Sequence, residues 1–166
     1  MINKLKKALQ RYTLRECIRW FDMKYGLGAL ELLLASNWLN PFGTLYLNLR
    51  SLPFMQAIKM PIFVYGRPRF YCLSGKMLIK GKVIPGMIHF NQTKPGSPSN
   101  MGVQSEINNR GTILFHGKGL IGTGNRIYVS FGTTLSLGNL FKITDMCNIG
   151  CTSGIVIGEQ SWVVHR

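Results

Sequence analysis

Acidic residues are scarce in this chain, with six Asp and Glu against 20 Lys and Arg in 166 residues, a formal net charge of +14. An anionic partner is the one that such a charge favours. Histidine is sparser still, so the supply of imidazole bases is limited to His89, His116 and His165. The four cysteines, Cys17, Cys72, Cys147 and Cys151, form no C-x-x-C pair and have no partnering His cluster, so no metal site is expected and they read as small residues of a reducing compartment. Long apolar runs are missing too. Residues 27–35 are apolar but carry Glu31 and fall well short of the roughly 20 residues that a membrane-crossing helix needs. With no cleavage site of small residues and a long charged segment ahead of that run, a signal peptide is not expected either. A cytoplasmic location follows, with the inner face of the membrane as a further option.

What is present is unevenly distributed. Fourteen of the basic residues lie in residues 1–82 beside Glu16, Asp22 and Glu31, which leaves only a small excess for the second half. An anionic partner would be met at the front. On a helical wheel the first 20 residues place Lys4, Lys7, Arg11, Arg15 and Arg19 opposite Ile2, Leu5, Leu9, Tyr12, Cys17 and Trp20. Two readings of this basic amphipathic helix stand side by side: residues 1–24 lie on an anionic membrane, or the helix packs its apolar side on the fold and leaves its charges in water.

The hydrophobic content of 46% is enough for a core, and 19 Gly among so few charged residues fit short strands and corners. Asn40-Pro41-Phe42-Gly43 breaks the helix expected over residues 27–39. Leu45, Leu47 and Leu49 then alternate with Tyr46, Asn48 and Arg50, which predicts a half-buried strand. Short strands are predicted over residues 62–64, 69–73, 77–79 and 87–90, and residues 94–102 read as a loop inserted at a corner.

From Ile107 onward an aliphatic residue recurs about every six positions: Ile107, Ile113, Ile121, Ile127, Leu137, Ile143, Ile149, Ile157 and Val163. A short fixed period of this kind marks a coiled parallel β-structure in which each flat face turns one aliphatic side chain inward. Small or turn-forming residues follow four positions later at Gly111, Gly117, Asn125, Cys147, Ser153 and Ser161, with Phe131 and Phe141 as departures. Such residues suit a sharp corner. The intervals of 6, 8, 6, 10, 6, 6, 8 and 6 residues fit extra residues extruded at corners while the stack stays in register.

The stretches Ile121-Gly122, Ile149-Gly150-Cys151-Thr152-Ser153-Gly154 and Ile157-Gly158-Glu159-Gln160-Ser161-Trp162 resemble hexapeptide-repeat acyltransferases. The resemblance implies an all-β fold: a left-handed parallel β-helix, three hexads to a coil, preceded by an N-terminal helical segment. The division it suggests is a basic helical segment over residues 1–40, an irregular β lead-in over 41–106 and the repeat over 107–166. It also implies a homotrimer and transfer of an acyl group, usually acetyl, from acyl-CoA to a hydroxyl of a cell-surface saccharide, with acetyl-CoA as co-substrate and no bound cofactor.

In that family a His takes the hydroxyl proton, often set by a nearby acid. His116, at an outward corner, and His165, near the end of the chain, are the candidates that the resemblance leaves, while His89 reads as a solvent-facing strand residue. The family's Asp-x-Asp-x-x-His type of segment is absent, and the repeat stops in mid-hexad at Val163-Val164-His165-Arg166. The expectation is therefore an inactive fragment with little activity by itself. Gly117-x-Gly119-x-x-Gly122 matches a dinucleotide fingerprint in form, but Ile127-Tyr128-Val129 follows where a helix would have to start, and the match is rejected. The competing function is a non-catalytic basic module that binds anionic membrane or, less favoured, nucleic acid, with Tyr65, Phe70 and Tyr71 interleaved between Arg67 and Arg69 as stacking platforms.

Overall fold

The computed structural model describes residues 39–92 and 103–165. The amphipathic helix of residues 1–24, the apolar run 27–35 and the loop 94–102 lie outside the described residues.

Helix α1 (Pro41–Ser51) opens the described fold, and the strand expected over residues 45–49 is corrected by it. Asn40 caps the helix, its side-chain oxygen accepting from the Gly43 N–H at 2.8 Å, and Pro41 stands at the first position, where its missing N–H costs nothing. The Leu alternation that imitates a strand is a by-product of helical spacing. Leu47 is buried together with Thr44, Asn48 and Ser51, the one-sided spacing of a helix, whereas Leu45 and Leu49 are exposed. A short second helix, α2 (Phe54–Ala57), follows.

Thirteen strands among the described residues then wind in one sense. The first sheet contains β1 (Ile62–Val64), β4 (Ile88–Phe90), β7 (Gly119–Ile121), β10 (Phe141–Ile143) and β13 (Trp162–Val163). The second holds β2 (Arg69–Leu73), β5 (Glu106–Asn109), β8 (Arg126–Val129) and β11 (Asn148–Cys151). The third holds β3 (Lys76–Ile79), β6 (Thr112–Phe115), β9 (Thr134–Leu137) and β12 (Ile155–Ile157). Every pairing between these strands is parallel and joins each strand to the one three further along the chain. This is the arrangement of a three-faced parallel β-solenoid.

The regular stack begins at Ile62, so the lead-in is itself coiled and the division at residues 106/107 falls inside β5. Ile107 pairs with Ile127 and Ile127 with Ile149, and each of these steps is longer than three bare hexads. The additional residues sit at corners, where Gly124, Gly132, Leu140 and Met146 take positive φ.

Of the nine aliphatic positions, Ile107, Ile113, Ile121, Ile127, Leu137, Ile143 and Ile149 are buried, and Ile157 and Val163 are partly buried against the same core. The register at one face differs from the sequence spacing. Ile113 pairs with Leu135, and Leu137 instead lies over Phe115. Most strands turn two side chains inward, so a face offers two equivalent-looking anchors and the longest interval in the repeat arises from choosing the wrong one. Phe141 is likewise no departure from a pattern, since it is an inward core residue paired with Gly119. Phe131 does protrude from its corner and is exposed.

Candidate functional site

Alternation on the first sheet sends the middle residue of each short strand outward. The pairing register stacks Phe63, His89, Leu120, Lys142 and Trp162 into one column running across five coils. The segment Ile84-Pro85-Gly86 ahead of β4 and the corner residues Lys118 and Leu140 stand beside this column, and between them lies an open groove of about 480 Å³. Its lining combines two ammonium groups, an imidazole and an indole. The Lys142 Nζ sits 4.4 Å from the centre of the Trp162 ring, a cation–π contact that also steers the ammonium.

His89 is the most constrained of the three histidines. Its Nδ1 is 2.9 Å from the Tyr65 hydroxyl, its ring stacks on Tyr65 at 5.6 Å between centroids, and Phe63 meets it edge-on at 6.3 Å. Burial pushes the His89 imidazole below the ordinary histidine range, while a backbone contact with Gly86 works the other way. The net effect favours a neutral ring at neutral pH. Tyr65 is itself fully buried, and burial raises its phenol, so the hydroxyl keeps its proton. The unit is a neutral imidazole oriented by a neutral phenol.

The candidates read from the sequence are not brought together. His116 is exposed at the end of β6, with its Nε2 3.0 Å from the Ser136 hydroxyl. His165 lines a different groove of about 530 Å³ on the second sheet, shared with Arg69, Glu106, Arg126 and Asn148. In that groove Glu106 bridges two cations, at 3.8 Å from Arg69 and 3.5 Å from Arg126, and the pairing register places all three in one outward column.

One sequence reading changes at this point. Tyr65 is fully buried and Phe70 packs inward, 6.3 Å from Phe90 and 5.9 Å from Tyr46, so of the three expected stacking platforms only Tyr71 is exposed. Arg69, one of the interleaved cations, is engaged by Glu106. The Gly119 motif lies in β7, which leads into β8 and not into a helix, in keeping with rejecting the fingerprint.

Sequence reasoning left His89 and Tyr65 out of the site, and with them Lys142 and Trp162, for which a signal exists. The signal that would have found them is the length of a coil: the steps that carry Ile107 to Ile127 and Ile127 to Ile149 also bring Leu120, Lys142 and Trp162 into one column. Among the described residues, no three His, Cys, Asp or Glu side chains gather as metal ligands, and no helix is long and apolar enough to cross a membrane. Comparisons of the chain with protein-family models, with curated proteins and with solved structures found no match.

Proposed function

We propose that this protein is an acyl-CoA-dependent O-acyltransferase, an enzyme that moves an acyl group, in the first instance acetyl, from the CoA thioester to a hydroxyl of a saccharide destined for the cell surface. The resemblance of its repeats to hexapeptide-repeat acyltransferases motivates the reading, and with it a left-handed coil, a homotrimer, a cytoplasmic location at the inner membrane face, and membrane contact through residues 1–24. The observation that carries it is the His89–Tyr65 pair beside an open groove on a parallel solenoid.

Thioester-to-hydroxyl transfer needs a base that is unprotonated before reaction, and burial of His89 favours that state at neutral pH. The His89 ring, held through Nδ1 by the Tyr65 hydroxyl, receives the proton of the acceptor hydroxyl as its oxygen attacks the thioester carbon. Loss of the CoA thiolate from the tetrahedral intermediate then completes the transfer, and the imidazolium returns the proton to that thiolate. Lys118 and Lys142 supply positive charge for an anionic portion of donor or acceptor.

The test is an acetyl-CoA-dependent transfer assay on the purified chain with a panel of glycans, comparing His89→Gln, His116→Ala and His165→Ala. A loss of roughly 100-fold or more in kcat for His89→Gln alone supports the assignment. Loss confined to His116→Ala or His165→Ala removes His89 from the role of base. Absence of transfer to every hydroxyl acceptor overturns the reading of this chain as an active enzyme and agrees with the low activity expected from its sequence.

A further inference from the structure

The two helices at the start of the solenoid are inside out. On α1 the side turned toward the coils carries Thr44, Asn48 and Ser51 beside Leu47, while the side turned to solvent carries Phe42, Leu45, Tyr46 and Leu49. The same inversion holds at α2, where Gln56 turns inward and Phe54, Met55 and Ile58 point out.

The inward polarity has a cause in the fold. The first coil has open strand edges, and side chains of the helices take the place of a preceding coil. Asn48 donates to the Ile62 carbonyl at 2.7 Å and accepts from the Ile62 N–H at 3.1 Å. The Thr44 hydroxyl accepts from the Val64 N–H at 3.0 Å, and Gln56 exchanges both amide bonds with Ile79 at 2.8 and 3.1 Å. The outward polarity has no such cause. Phe42 is 83% exposed, Phe54 71% and Met55 70%. Single exposed apolar residues are ordinary, but a contiguous set on one end of a molecule marks a surface that is covered in use.

The charge around this surface selects what covers it. From Leu32 to Ser105 the chain contains no Asp or Glu at all. Arg50 and Lys59 lie among the exposed apolar residues in sequence, and Lys80 and Lys82 follow Ile79, to which α2 is bonded; all four are exposed. Residues 1–38 are themselves net basic, and a second copy would bring an identical basic face. A second copy sets like charges against one another, and residues 1–38 would bring their own net positive charge up to Arg50 and Lys59. An anionic bilayer satisfies both terms, taking aromatic and aliphatic tips into the interface and meeting Lys and Arg with headgroups.

We infer that the outer faces of α1 and α2 form a docking surface for anionic membrane, which would lay the end of the solenoid on the bilayer. This surface is distinct from residues 1–24, and the inference stands whether or not the chain transfers acyl groups.

The experiment is co-sedimentation of the full chain with phosphatidylcholine vesicles, with and without a minor fraction of anionic phosphatidylglycerol. Wild type is compared with Phe42→Ser/Phe54→Ser/Met55→Ser, and with Phe54→Ser alone in case the triple variant folds poorly, as checked by circular dichroism. The expected result is selective binding to the anionic vesicles, weakened on the order of tenfold in the triple variant and several-fold in the single one. Hydrogen exchange in the wild type is expected to slow at amides of residues 41–58 when these vesicles are added. Undiminished binding by folded variants, or no exchange protection of residues 41–58, overturns the inference and leaves any binding to residues 1–24. Dissociation of an oligomer by the variants without vesicles assigns the surface to a second copy, and new protease cleavage within residues 1–38 assigns it to that segment. Either result also overturns the inference.

Discussion

Gly119 and Phe141 occupy one position in successive coils, and the ring of Phe141 lies where a side chain on residue 119 would stand. The first sheet thus carries a buried Phe ring directly over its smallest residue. Close-packed interiors leave no slack for both. Gly119→Ala is expected to cost about 1–3 kcal/mol by overpacking. Phe141→Leu combined with Gly119→Ala should recover part of that loss, giving a coupling energy in a double-mutant cycle. Urea denaturation of the four proteins measures it, and strictly additive losses would refute the steric account.

The cap at the first coil predicts a ranking. Asn48 is fully buried and satisfies both the N–H and the carbonyl of Ile62, so Asn48→Ala strands two buried backbone groups and is expected to cost about 2–4 kcal/mol. Gln56 makes the equivalent pair with Ile79 where water has access, and Gln56→Ala should cost about 1 kcal/mol. The denaturant midpoint reports both. A Gln56 effect equal to or larger than that of Asn48 would contradict this account of the cap.

Stability should depend on His89 in a defined pH window. Burial holds its folded-state protonation below the unfolded value of about 6.5, so below that pH the unfolded chain binds the proton more readily than the native one. The sign follows: the native state loses stability as pH falls from about 6.5 toward the lower folded value, and the penalty is absent above about 6.5. Denaturant midpoints at about pH 7.5 and 5.5 should fall less between the two pH values in His89→Gln than in wild type. Equal slopes would show that the ring titrates alike in both states.

Thiol reactivity should divide the described cysteines. Cys72 is partly exposed, and the Ser74 hydroxyl at 3.3 Å, followed by the Ser74 backbone, lowers its thiol below the ordinary range. Cys147 and Cys151 are buried in the core. Iodoacetamide in the native state should alkylate Cys72 on the order of 100-fold faster than either buried thiol, with Ser74→Ala slowing it. Peptide mass mapping over time decides the order.

Much of the strand pattern was legible because it is local. The predicted strands over 62–64 and 69–73 coincide with β1 and β2, and those over 77–79 and 87–90 differ from β3 and β4 by one residue at the start. Gly and Pro punctuation, together with apolar alternation, is encoded within a few neighbouring residues. Helix α1 was misread for a related reason. Its decisive bonds run from Asn48 and Thr44 to Ile62 and Val64, which are 14 and 20 residues away, and no local pattern contains them.

The sequence by itself determined the approximate period, the inward-facing aliphatic residues from Ile107 to Val163 and the concentration of positive charge in the first half, since each is a property of residue order alone. Only the tertiary structure decided the register, because two inward positions per strand look alike until one coil is laid on the next. Register in turn made the site. His89, Lys142 and Trp162 share a groove through pairings between strands a whole coil apart in sequence, and His89 is held neutral by burial against Tyr65, a long-range environment that its neighbours in sequence do not specify.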